Sequence, residues 1–151
     1  AAVVRALKKE GIDSQTFAEE IEWRLPNKYT LPWGLEKQLK DNGIVIEIPN
    51  LKSLSEHEKI LFLQQQLSQN KPVIILGEIN NFEHYMTVFG FDSANDEFYV
   101  YDSLEKAEYD VNGDLPGNRM FTSKELLDFW RDGGMFGIYR WYAIVSSVNS
   151  L

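Results

Sequence analysis

From residue 72 to residue 102 the chain changes to a period of two, and two β-rich runs flank a loop of turn formers. That arrangement commits the stretch to an antiparallel hairpin. The runs are residues 84–91 and 97–102, and the loop is Asp92-Ser93-Ala94-Asn95-Asp96. With five loop residues, Phe91 faces Glu97 across the hairpin. Continued along the strands, this register sets His84 opposite Leu104, with Asp102 its diagonal neighbour on the same face, roughly 7 to 8 Å away between backbone positions. Met86, Val88, Phe98 and Val100 then share one face; Tyr85, Phe89, Phe91, Tyr99 and Tyr101 share the other.

The rest of the chain frames this hairpin with helices. The opening Ala1-Ala2-Val3-Val4-Arg5-Ala6-Leu7-Lys8-Lys9-Glu10-Gly11 is a helical pattern without a Ser, Thr or Asp cap, so residues are expected to precede Ala1. Asp13-Ser14 caps a second helix through Trp23, and Pro32 introduces a third over residues 33–40 that stops near Asn42-Gly43. Residues 44–48 read as a short strand. Ser55-Glu56-His57-Glu58 is a capping box opening a helix through Gln69, with Ile60, Leu61, Leu63 and Leu67 toward one side. Residues 72–77 read as a buried strand, 105–109 as a short edge strand and 140–148 as a final strand. Thr122-Ser123-Lys124-Glu125 opens one more helix to Trp130, closed by Gly133-Gly134. Helices first, then a mostly antiparallel meander with one helical insertion, is an α+β plan. With 151 residues, 44% of them hydrophobic, the chain is expected to form a single domain over 1–151, helical to about residue 70 and sheet thereafter.

Charge and composition narrow the partners. Fifteen Lys and Arg against 23 Asp and Glu give a net charge of −8, which repels nucleic-acid phosphates and anionic lipid surfaces. Nucleic acid is not an expected partner. The longest aliphatic run, Val73-Ile74-Ile75-Leu76, falls far short of the roughly 20 residues of a membrane helix, so a soluble chain is expected. With no cysteine there is no disulfide, thiolate metal site or cysteine nucleophile within these residues.

Among the residues able to do chemistry, His84 and Asp102 stand out because the hairpin brings an imidazole and a carboxylate together. A carboxylate on one ring nitrogen fixes the tautomer, leaves the other nitrogen available, and stabilises the imidazolium formed on proton uptake. The competing reading is a polar residue satisfied at a strand end. A metal site finds no support, since His57-Glu58 has Leu61 where a second histidine ligand would stand, and Asp92 lies at the far end of the hairpin from Glu83, His84 and Asp102. No cofactor motif is present either: there is no phosphate-binding glycine loop, and no Gly-x-Ser-x-Gly elbow. Trp33, Trp130, Trp141 and the tyrosines are expected in the core, the alternative for some of them being the lining of a cleft for an extended peptide.

Three stretches carry a family resemblance. Gln69-Asn70-Lys71-Pro72-Val73-Ile74-Ile75-Leu76-Gly77, His84-Tyr85-Met86-Thr87-Val88-Phe89-Gly90-Phe91-Asp92 and Glu97-Phe98-Tyr99-Val100-Tyr101-Asp102-Ser103 are similar to the bacteriocin-leader (double-glycine) peptidases and their stand-alone relatives. The match continues through residues 121–130 and 141–145. The resemblance implies a papain-like fold and cysteine-nucleophile hydrolysis of peptide or isopeptide bonds, with His84 as general base and Asp102 as its orienting residue. It also implies a peptide or protein substrate, no cofactor, and an extracellular or cell-envelope setting ahead of a cytoplasmic one. In that family the cysteine stands at the N-terminal end of the first long helix, where the helix dipole and the imidazolium activate it, and a glutamine shortly before it serves the oxyanion hole. Here Ala1-Ala2-Val3-Val4 occupies that helix, so the nucleophile either precedes Ala1 or has been replaced by alanine. The chain as given is thus expected to be inactive. A non-catalytic domain that uses the same cleft to bind a peptide or protein segment is the alternative, and a related acyl transfer on the same triad is a third reading. Oligomeric state is left open.

Overall fold

The computed structural model describes residues 31–102, 119–133 and 137–148. The two expected helices before Trp23, the edge strand at residues 105–109 and the surroundings of Ala1 lie outside them.

The described elements run α1 (Pro32–Asp41), β1 (Ile44–Glu47), α2 (Glu56–Ser68), β2 (Val73–Ile79), β3 (Phe82–Asp92), β4 (Glu97–Tyr101), β5 (Arg119–Phe121), α3 (Ser123–Asp132) and β6 (Ala143–Val148). The strands form one six-stranded sheet in the order β1-β6-β2-β3-β4-β5, and each described pair is antiparallel. The fold is α+β. β2, β3 and β4 are the expected antiparallel run, β5 is a three-residue strand outside that expectation, and β6 returns to lie between β2 and β1.

Helix starts follow their local chemistry. Ser55 accepts from the Glu58 N–H at 3.1 Å while the Glu58 carboxylate takes the Ser55 N–H at 3.3 Å, and Thr122 and Glu125 make the same reciprocal pair at 3.2 Å each way. α1 begins instead on Pro32, whose missing N–H leaves nothing unsatisfied at a first turn. In α2 the buried side is Lys59, Ile60, Leu63 and Leu67, and Leu61 is 49% exposed, contrary to expectation. At about 100° per residue, Leu61 falls between Ile60 and the outer surface and cannot share the Leu63 side. Trp33 is likewise exposed, whereas Trp130 and Trp141 pack edge-to-face with centroids 5.3 Å apart. The Lys59 ammonium lies 4.2 Å over the Trp141 ring and donates to the Leu54 carbonyl at 2.5 Å.

The sheet is covered on both faces. Val73, Ile75, Met86, Val88, Phe98 and Val100 meet α2 and α3 on one side; Ile74, Leu76 and Ile144 meet Leu39 of α1 on the other. Burial on both sides explains why β2 reads as an unbroken apolar run. β2 and β3 join through Asn80 and Asn81, with φ of 50° and 66°, a two-residue turn that matches the twist of the strands. β2 therefore runs to Ile79 and β3 starts at Phe82, two residues before the expected start at His84. β6 starts later than expected, after a turn in which Trp141 takes φ of 58°.

The β3–β4 hairpin departs from the expected register in an informative way. Asp92, not Phe91, faces Glu97, so the loop has four residues, Ser93 to Asp96. Asp92 holds it together by accepting from the Ala94 N–H at 3.0 Å and the Asn95 side-chain amide at 2.7 Å, and the amide bond holds the Asp92 carboxyl below the usual carboxylate range. The one-residue offset persists to Gly90–Tyr99 and is removed by a bulge at Phe89, after which Val88 faces Val100 and Thr87 faces Tyr101. The bulge also reverses the expected face of Phe91, which pairs with Phe98, its ring centroid 6.3 Å away, and packs on the α2/α3 core.

α3 lies close on β2 because two glycines leave room. A Cβ on Gly77 would stand 2.5 Å from Phe129 Cε1 and collide with the Phe129 carbonyl, and one on Gly133 would stand 2.7 Å from the Leu76 carbonyl. Gly77→Ala is therefore expected to lower stability by about 1–3 kcal/mol in urea unfolding. Gly90→Ala should cost less, because the added methyl meets a ring edge of Tyr99 at 3.0 Å, which can turn aside.

Candidate functional site

His84 is the third residue of β3, on the face that carries Met86 and Val88 toward α2 and α3, and Asp102 follows the last residue of β4. Below the bulge the two strands are in the register that sets these residues on one face. His84 Nε2 and Asp102 Oδ1 stand 2.6 Å apart, with side-chain exposures of 11% and 1%. A charge-assisted hydrogen bond at this depth is shielded from water and fixes the ring plane. Because Nε2 is engaged by the carboxylate, Nδ1 is the nitrogen that can exchange a proton with a reacting group.

The second oxygen of Asp102 is held from the other side. Arg119 Nη1 donates to Oδ2 at 2.8 Å from β5, where Arg119 lies opposite Val100. One buried carboxylate thus receives donors from β3 and β5, which satisfies the requirement that a charge removed from water be paired and hydrogen-bonded. The imidazole has a defined setting on its β2 side as well. Gly77 pairs directly with His84, and the space its missing side chain leaves is filled by Phe129 of α3. Phe82, two residues before His84 and on the same strand face, is 74% exposed and forms an apolar rim at the hairpin tip.

The other sequence candidates lie elsewhere. His57 is on the exposed side of α2, and Asp92 closes the loop at the far end of the hairpin. Ser123 and Asp96 are hydrogen-bonded to each other, tying the start of α3 to that loop. Among the described residues no three His, Asp or Glu side chains gather as a metal site would need, and no helix is long and apolar enough to cross a membrane.

A family model described as Peptidase_C39 like matches residues 6–132, a span that includes His84, Asp102 and Arg119. The chain belongs to this family. No curated protein and no solved structure matches it. The resemblance read from the hairpin motifs is thereby shown, and a Peptidase_C39 like domain is a peptidase-related one, here without any cysteine among its 151 residues.

Arg119 was not legible in the sequence. It lies in a three-residue strand, too short for a periodic signal, and 17 residues separate it from Asp102. The one local hint is its place two residues before Phe121, an apolar residue leading into the Thr122 capping box.

The geometry gives a stability prediction independent of any activity. Asp102→Asn removes the charge from both contacts with almost no change of shape, and is expected to lower stability by about 2 kcal/mol in urea unfolding at neutral pH. A variant as stable as the parent would mean that the carboxylate is not paired in solution as it is here.

Proposed function

We propose that His84 and Asp102 are the base and orienter of a papain-like cysteine-peptidase triad acting on peptide bonds, and that residues 1–151 constitute one such domain. The observation that supports this most directly is the buried 2.6 Å pairing through Nε2, which leaves Nδ1 for a nucleophile. In that reading Nδ1 takes the proton of a thiol, and the Asp102 carboxylate stabilises the imidazolium that results. The imidazolium then protonates the amine leaving group, and the emptied nitrogen draws a proton from the water that cleaves the acyl-enzyme. Phe82 offers an apolar contact to a substrate segment passing the hairpin tip. The thiol is not supplied by the 151 residues, so the chain as given is inactive on this reading.

A second reading is favoured by that same composition: a non-catalytic domain that holds a peptide or protein segment beside His84. The two separate experimentally. The protein carrying whatever its gene encodes ahead of Ala1 is treated with a peptide bearing a thiol-reactive electrophile. Hydrolysis predicts covalent labelling that falls on the order of 100-fold or more in His84→Ala. Labelling indifferent to His84 overturns the triad. Absence of any thiol in the natural protein overturns hydrolysis by this route, and leaves binding, read as peptide-induced shifts of the His84 ring resonances.

A further inference from the structure

We infer that Arg119 is a positioning residue of this site, acting on His84 through Asp102; the inference rests on the base-and-orienter reading given above. His84 holds Oδ1 of the Asp102 carboxylate, and Arg119 Nη1 donates to Oδ2 at 2.8 Å, so the two oxygens are engaged from opposite sides and rotation about the side-chain torsion is opposed.

Arg119 is itself held. Its guanidinium carbon lies 4.7 Å from the centre of the Phe121 ring on the same face of β5, and Phe121 stacks on Phe129 of α3 with centroids 6.3 Å apart and planes 13° from parallel. Phe129 in turn occupies the space over Gly77, the direct cross-strand partner of His84. The contacts close a loop: His84, Asp102, Arg119, Phe121, Phe129, Gly77 and back to His84. An exposed ion pair of the ordinary kind has no such return path, and is worth little because both partners move freely. Here one partner is 1% exposed and the other, at 34%, rests on a ring that is part of the core.

The test uses the 151-residue chain labelled with 15N-histidine, and reads the hydrogen-bonded Nε2 proton of His84 by NMR. The parent should show a downfield signal slow to exchange with water. Arg119→Ala should speed that exchange by about tenfold or more, with the melting temperature and the amide signals of β2 and β3 showing that the sheet is intact. Arg119→Lys, which restores a cation but not the planar fork, should recover part of the protection. An unchanged His84 signal in folded Arg119→Ala overturns the inference. If Arg119→Ala does not fold, Arg119→Gln is compared with Arg119→Lys, and equal protection in those two overturns it instead. Failure of the peptidase reading would appear separately, as absent or His84-independent labelling by the thiol-reactive peptide while the Arg119 effect on the imidazole persists.

Discussion

A carboxylate at 1% exposure has lost its hydration, and a chain that buries one must bring donors to it from somewhere. In this protein they come from two other strands: an imidazole on β3 and a guanidinium on β5, with Asp102 at the end of the strand between them. The order β3-β4-β5 is thereby tied to the chemistry of one side chain. A rearrangement that slid either neighbour along β4 would draw a donor away from this buried carboxylate, at a cost of about 1–3 kcal/mol.

The apolar part of the structure serves the same end of the sheet. α3 reaches β2 closely enough to bring Phe129 over the partner of His84 because Gly77 and Gly133 carry no side chains. Trp130, fully buried, fixes the helix further by donating its indole N–H to the Tyr142 carbonyl at 2.9 Å. Tyr142 sits on the opposite side of the sheet, where its phenol donates to Glu36 of α1 and burial pushes its acidity well below that of an ordinary tyrosine. α1, the sheet and α3 are thus joined through one residue at the start of β6.

Where the sequence was sufficient, a local rule decided the outcome. Two capping boxes placed the starts of α2 and α3, an unbroken apolar run placed β2, and alternation placed β3 and β4. The convergence of His84 and Asp102 was legible too, although the loop has four residues and not the expected five, and the bulge at Phe89 restores the expected register below it. What was not legible depended on partners distant in the chain. β5 is a strand only because β4 offers it an edge, and Arg119 has no role until Asp102 is beside it. Leu61 and Trp33 were assigned inward on hydrophobicity alone, and helix geometry turned them outward. Phe91 changed faces because a bulge gives no signal of its own in a β-rich run.

That bulge at Phe89 has a wider consequence. It divides the hairpin into two lengths of ladder whose phases are set independently, as a spliced section of track lets the rails beyond it shift without disturbing those before it. The distal length, from Gly90 to Tyr99, answers to its four-residue loop and to α3, which is tied to that loop through Ser123 and Asp96. The proximal length answers to β2 and the core. A change in the loop can be absorbed at Phe89, so the outer end of the hairpin can be rebuilt while the imidazole and the carboxylate stay face to face.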